Sequence, residues 1–370
     1  MTTFLQYHLL TSYAASNLNR DDAGRPKTLT YGEAPRLRVS SQSLKRAWRT
    51  SEAFARAMEG HVGTRSNRFA EELFGLLTER GVGEKDAIER IKTVLEAEKI
   101  GKLKVPKKDE EVTSDHLRTE QLVHLGPKER QTLRDLADRL AEGPVEHDGK
   151  SLMVLSADHG AVDVALFGRM LADQTRMNVE AACQVAHAFT THRVAVEDDF
   201  YTAVDDLKKK ADGDDAGAGF VGVHDYGAGV YYAYVCLNAD QLAANLGGDA
   251  ALAGEAAAAL AHAMATVGPA GKQNSYASRA RAGFCLLEVG DAAPRSLAEA
   301  FLRPVRTSEG RDLIGQSVHE LRERKERIER VYGDAPAEEA SFDVDADEGS
   351  LDDVLSLTRR AFEGLGGGGA

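Results

Sequence analysis

The feature that most limits how this chain can fold is the order of its apolar runs. Residues 229–238 read GVYYAYVCLN, the clearest strand in the sequence, and an alanine-rich run over 249–267 reads as a helix. GFCLLEVG, at 283–290, is a second strand. Near the start, FLQYHLL (4–10) is β-prone and leads into a polar loop over 16–31, while RLRVSS (36–41) alternates basic and apolar residues as a half-exposed strand would. A helix is expected over 41–59, with Leu44, Ala47, Trp48, Ser51, Ala55 and Met58 on one face. SLMVLSADHGAVDVALFGRM, at 151–170, returns to strand character, and NVEAACQVAHAFTTH from Asn178 reads as a helix with an Asn cap and Glu180 in its first turn.

Between these elements lie two stretches of different character. Residues 65–142 look helical throughout, with Leu73, Leu76, Leu77, Leu133, Leu136 and Leu140 spaced for amphipathic packing, and the lysine run at 99–108 reads as a solvated loop. Residues 205–229 are rich in Gly and Asp, too polar to pack a core, and suit a long loop or exposed hairpin. Removing both leaves strand, helix, strand, strand, helix, strand. That order is the split βαβ arrangement of ferredoxin-like domains, an α+β class on which RNA-recognition modules are built.

A length of 370 residues suits roughly two domains, or one with a large insertion. No run approaches a membrane span, and the first residues, MTTFLQYHLL, lack a basic region and a cleavage site, so a cytoplasmic location is expected. Cys183, Cys236 and Cys285 have no spacing that suits zinc or a disulfide framework, and no cofactor is expected. The net charge of −13 argues against a nucleic-acid partner, but charge is segregated. Residues 20–49 hold eight Lys or Arg against three acids, and residues 334–353 hold nine acids and no base. After Arg306 the chain is expected to be peripheral: a charged helix, the acidic stretch and a flexible glycine-rich tail.

Gln42, Lys45, Arg46, Arg49 and Arg56 recur three and four apart on the other face of the expected 41–59 helix. Cations near the start of a helix are unfavourable beside the positive end of its dipole unless an anion sits there. With Arg20, Lys27, Arg36 and Arg38 nearby, the reading is a phosphate site that holds backbone and ignores base identity. Asp21 and Asp22 are the candidates for a Mg²⁺ site, although pairing with Arg20 and Arg25 is the simpler reading. His159, His187 and His192 read as structural. GPAGKQ (268–273) fails the P-loop pattern, leaving Lys272 as a possible phosphate contact.

LNRDD (18–22), Lys27, RLRVSSQSLKRAWR, GAVDVALFGRM, VAHAFTTH, FYTAVDDL and the GAGVYYAY strand resemble, in order and spacing, the CasC (Cse) family. Its members form the backbone of the type I-E CRISPR Cascade surveillance complex. The resemblance implies a ferredoxin-like, RRM-like palm, helical fingers and a thumb β-hairpin, with copies aligned head to tail along a CRISPR RNA. It divides the chain into palm (1–60, 151–204 and 230–306), fingers (61–150), thumb (205–229) and a peripheral segment (307–370). Arg20, Lys27, Gln42, Lys45 and Arg49 match positions that grip guide phosphates; Arg46 shares their block and Ser40 follows by neighbourhood. Arg169 and Met170 match a palm motif beside the guide, and Phe220, Val221, Val223 and Tyr226 are thumb tip or interface residues. The implied partners are CRISPR RNA, further copies, other Cascade subunits and, through the guide, target DNA. The implied role is a non-catalytic scaffold. The alternative is a metal-dependent endoribonuclease using Asp21 or Asp22.

Overall fold

The computed structural model describes residues 2–98, 116–119, 121–143, 145, 152–203, 220–308 and 310–365. The strands are β1 (Phe4–Ser16), β2 (Thr28–Tyr31), β3 (Ala34–Val39), β4 (Thr64–Ser66), β5 (Val123–Leu125) and β6 (Cys183–Val185). They continue with β7 (Ala188–Thr190), β8 (Glu197–Ala203), β9 (Phe220–Asn238), β10 (Ala282–Gly290), β11 (Glu338–Asp343) and β12 (Glu348–Gly349). The helices begin with α1 (Ser41–Arg49), α2 (Glu52–Ala57), α3 (Phe69–Glu79), α4 (Glu84–Glu98), α5 (Pro127–Glu142) and α6 (Val162–Phe167). After them come α7 (Ala239–Asn245), α8 (Ala250–Thr266), α9 (Gln273–Tyr276), α10 (Leu313–Tyr332) and α11 (Leu351–Arg360). Among the described residues, no helix is long and apolar enough to cross a membrane.

The fold mixes helix and sheet around one large sheet, ordered β12-β11-β10-β1-β9-β7-β3-β2, with β6 and β8 also paired to β9. β1 is central, its two edges paired antiparallel to β9 and β10, and its two faces are covered by separate cores, so residues 5–10 are all buried. On one face, Leu5, Tyr7 and Leu9 join Leu44, Trp48, Leu260 and Leu357 from α1, α8 and α11. On the other, Leu10 packs with Tyr232, Phe284, Phe301, Val318 and Leu321, the last two from α10. α8 is buried nearly all round because its alanines let it lie close to the sheet. A second core belongs to the insertion, where α3, α4 and α5 bury Leu73, Leu77, Ile91, Val94, Leu133, Leu136 and Leu140. The 65–142 stretch is therefore not helical throughout: β4 and β5 pair beside the helices, Thr64 opposite Leu125. The lysine run at 99–108 lies outside the described residues.

Several expectations are corrected. The helix expected from Asn178 is replaced by β6 and β7, because Cys183 and Phe189 find partners on β9 opposite Leu237 and Tyr232. Sheet pairing wins over local helix propensity there. Asn178 caps nothing; its Oδ1 accepts the Leu171 amide at 2.7 Å. The strand expected over 151–170 is instead irregular backbone followed by α6, with Leu152, Val154 and Leu155 buried in the insertion core. The loop expected over 16–31 is shorter, since β1 runs on to Ser16 and β2 begins at Thr28.

The region after Arg306 is not peripheral. β11 extends the main sheet along β10, and α11 buries Val354 and Leu357 in the main core. Its acids meet the bases of the charged helices: Lys325–Glu339 at 2.7 Å, Lys325–Glu329 at 2.9 Å and Arg360–Glu338 at 3.2 Å. Glu338 and Glu339 of the acidic stretch are thus paired with bases of the helices that flank it in sequence. The last five residues of the tail lie outside the described residues.

Candidate nucleic-acid interface

α1 begins at a Ser40 cap, whose Oγ accepts the Ser43 amide at 3.3 Å, and ends at Arg49. It does not continue to residue 59. Ser51 interrupts it, donating its hydroxyl to the Trp48 carbonyl at 2.8 Å while its Oγ accepts the Phe54 amide at 3.2 Å to start α2. In a helix of nine residues, Arg46 and Arg49 occupy the last turn, where the dipole favours cations. The helix dipole therefore does not require an anion beside these cations. The case for this surface rests instead on what the basic face borders.

That face forms one wall of a groove of about 690 Å³. Gln42, Lys45, Arg46 and Arg49 line it from α1, and Arg65, Leu122 and His124 line it from the insertion. Phe167, Gly168, Arg169 and Met170 close it from the segment at the end of α6. Lys45 Nζ sits 5.5 Å from the centre of the Phe167 ring, a cation–π contact that steadies the lysine. Arg46 is exposed and, like Lys45, has no carboxylate partner among the described residues. Met170 is 87% exposed, an unusual state for a thioether side chain.

Behind the wall, charges are buried and paired. Asp163 is fully buried; its Oδ2 accepts Arg49 Nη1 at 3.2 Å and lies 2.9 Å from His124 Nε2, and its Oδ1 accepts the Gly63 amide at 2.8 Å. Burial pushes its pKa up, but the His124, Gly63 and Arg49 contacts outweigh burial and hold it below the usual value. Arg49 therefore faces the groove with part of its guanidinium already engaged.

Arg169 was expected to contact RNA, and the structure corrects this: its side chain is 1% exposed. Nη1 donates to both Glu129 oxygens at 2.7 and 2.9 Å and to the His124 carbonyl at 3.0 Å. Nε donates to the Met177 carbonyl at 3.0 Å, and Nη2 to the Ser156 carbonyl at 2.9 Å. Only its backbone reaches the groove wall. Arg36 is similarly lost to the basic surface: it is fully buried, donating to the carbonyls of Tyr31, Thr190 and Phe301.

The loop before β2 abuts the start of α1, where Asn19 Oδ1 accepts the Ser40 amide at 2.9 Å and its carbonyl accepts that of Lys27 at 2.8 Å. Ser40 is buried and serves as a cap. Arg20 is exposed, and Arg38 Nη1 contacts His187 Nδ1 at 2.9 Å. Burial, then Arg38 and Lys27, lower the His187 pKa, which favours the neutral ring. These cations extend the basic surface past the N-terminal end of α1.

Lys272 does not line the groove. It contacts His224 Nδ1 at the base of the β8–β9 hairpin, where Asn17 Nδ2 donates to the Asp225 carbonyl at 2.9 Å and Arg25 pairs with Asp225 at 3.5 Å. The hairpin arm starts earlier than residue 205, at Glu197 on β8. Phe200 stands directly opposite Val223, and the two are 65% and 59% exposed. Tyr226 donates to Glu197 at 3.1 Å. Phe220 and Val221 pair through their backbones with Ala203 and Thr202, but their side chains, and all of residues 204–219, lie outside the described residues. Asp21 Oδ1 accepts the Arg25 amide at 2.9 Å, and Asp22 is exposed beside it. His159 is buried, with its Nδ1 accepting the Ala161 amide; burial, then Arg169, push its pKa down to about 4.

Sequence reasoning missed Arg65, His124 and Asp163. Arg65 and His124 stand directly opposite each other on β4 and β5, a pairing with no local signal. Phe200 was inside a recognised block, FYTAVDDL, but fell before the expected hairpin boundary.

Residues 5–361 match the family model described as CT1975-like protein. A chain of a solved "CRISPR RNA-guided surveillance complex, pre-nicking" is 32% identical, with a TM-score of 0.79, over 96% of this chain and 100% of that one. A chain of another "CRISPR RNA-guided surveillance complex" is 27% identical, with a TM-score of 0.68, over 96% of this chain and 99% of that one. No curated protein matches. With a family match that spans nearly its whole length, this chain belongs to the CT1975-like family, the CasC-like backbone proteins of Cascade.

Proposed function

We propose that this chain is the RNA-binding backbone subunit of a type I-E Cascade complex, oligomerising head to tail along a CRISPR RNA in the cytoplasm. It presents the guide for pairing with target DNA and acts beside other Cascade subunits without catalysing cleavage. The observation that carries this reading is the groove, which unites Gln42, Lys45, Arg46 and Arg49 with the exposed Met170. Lys45 and Arg46, without a carboxylate partner among the described residues, suit phosphates, and a protruding apolar side chain suits the face of a base. Neither contact reads sequence, as a subunit serving many guides requires.

The palm reading is supported by the sheet order β10-β1-β9-β7 with α1 and α2 after β1 and α8 before β10, the arrangement of a split βαβ unit. The insertion around α3, α4 and α5 would be the fingers. The β8–β9 hairpin would be the thumb, with Phe200 and Val223 as its exposed apolar pair.

The test is to express the chain with a CRISPR RNA and its neighbouring gene products, then measure particle mass and bound nucleic acid together. A large particle holding one discrete, protected RNA is expected. A small RNA-free species would overturn the reading, and Mg²⁺-dependent RNA cleavage lost in Asp22→Ala would replace it with an endoribonuclease.

A further inference from the structure

Arg169 is the one basic residue of the FGRM segment, and its head is turned wholly away from the groove. Its acceptors come from separate segments: the His124 carbonyl on β5, the Glu129 carboxylate on α5, and the carbonyls of Ser156 and Met177. Glu129 is itself filled, accepting the amides of Gly126 and Ser156 at 2.8 Å each. The Arg169 backbone exchanges two hydrogen bonds with Val179, at 3.0 and 2.9 Å, on the groove wall. His124, which receives Arg169 through its carbonyl, reaches Asp163 through its ring, and Asp163 holds Arg49. A continuous buried chain thus runs from α5 to the basic face of α1.

We infer that Arg169 is a positioning residue: it locks the insertion against the main sheet and so fixes the width of the groove, without touching nucleic acid. This rests on the groove being the RNA site. A lysine cannot replace it, because a single ammonium cannot reach acceptors on four segments in the planar fan that a guanidinium provides. The groove would then lose its fixed spacing while keeping every cation that faces it.

The distinguishing readout is the salt dependence of binding, which counts phosphate contacts. The full-length chain is titrated with two unrelated single-stranded RNAs of equal length at several salt concentrations. Arg169→Lys should weaken binding to both roughly tenfold, with the salt slope unchanged. Arg46→Ala should lower the slope by about one contact. Should Arg169→Lys fail to fold, Arg169→Met with Glu129→Gln, which leaves no buried charge in the pair, gives the same readout. A slope lowered by about one in the Arg169 variant, or undiminished affinity in a folded one, would overturn the inference. A slope that Arg46→Ala does not change would instead overturn the groove as the RNA site.

Discussion

Arg46 and Arg169 border the same groove, yet one faces solvent without a carboxylate partner among the described residues and the other is buried against four segments. The difference lies in what surrounds each head. Among the described residues no carboxylate pairs with Arg46, so it is available to an anion in solution. Behind the wall, a desolvated guanidinium persists only because a carboxylate and several carbonyls replace water. Arg36 is likewise buried inside the main sheet, held by the carbonyls of Tyr31, Thr190 and Phe301. An arginine in a basic stretch is thus no measure of binding until its acceptors are known.

Four changes test this contrast, beginning with the strongest. Arg169→Met leaves Glu129 buried without its partner and should cost about 3–5 kcal/mol, seen as a lowered thermal midpoint that adding Glu129→Gln largely recovers. Asp163→Asn removes the charge that Arg49 and His124 share and should cost about 2 kcal/mol in denaturant unfolding, with no fall in the RNA salt slope.

The third is a pH effect confined to the junction of the insertion. Burial pushes the Glu98 carboxyl up to about 7, against the amides of Val154 and Leu155, which favour its charged form. The folded state therefore holds a proton that the unfolded chain releases near its ordinary value. Its contribution is fully present below the usual carboxylate pKa and is lost as pH rises through about 7. Glu98→Gln should flatten that part of the stability profile, measured by denaturant unfolding across the same range. Smallest is the stability change in Arg46→Ala, within about 0.5 kcal/mol. RNA affinity should nevertheless fall, equally for unrelated sequences.

Much of the main sheet was legible because its signals are local. The unbroken β-prone run GVYYAYVCLN and the alanines of α8 specify their elements without help from distant residues. Residues 178–192 were not legible as strands, since β6 and β7 are three residues each and exist through their pairing to β9. The basic face was found by spacing, but the reason given for it failed at Ser51, a cap hidden inside an apparently continuous pattern. Asp163 gave no signal, because its partners Arg49, Gly63 and His124 come from three distant segments.

Whether guide RNA lies in the α1 groove is decided by where it can be cross-linked. The most direct measurement is to irradiate the full-length chain bound to CRISPR RNA and map the cross-linked peptides by mass spectrometry. Cross-links within residues 42–49 and 167–170 are predicted. Cross-links confined to the separate cleft lined by His192, Arg193 and Arg306, with none in the groove, would contradict the account.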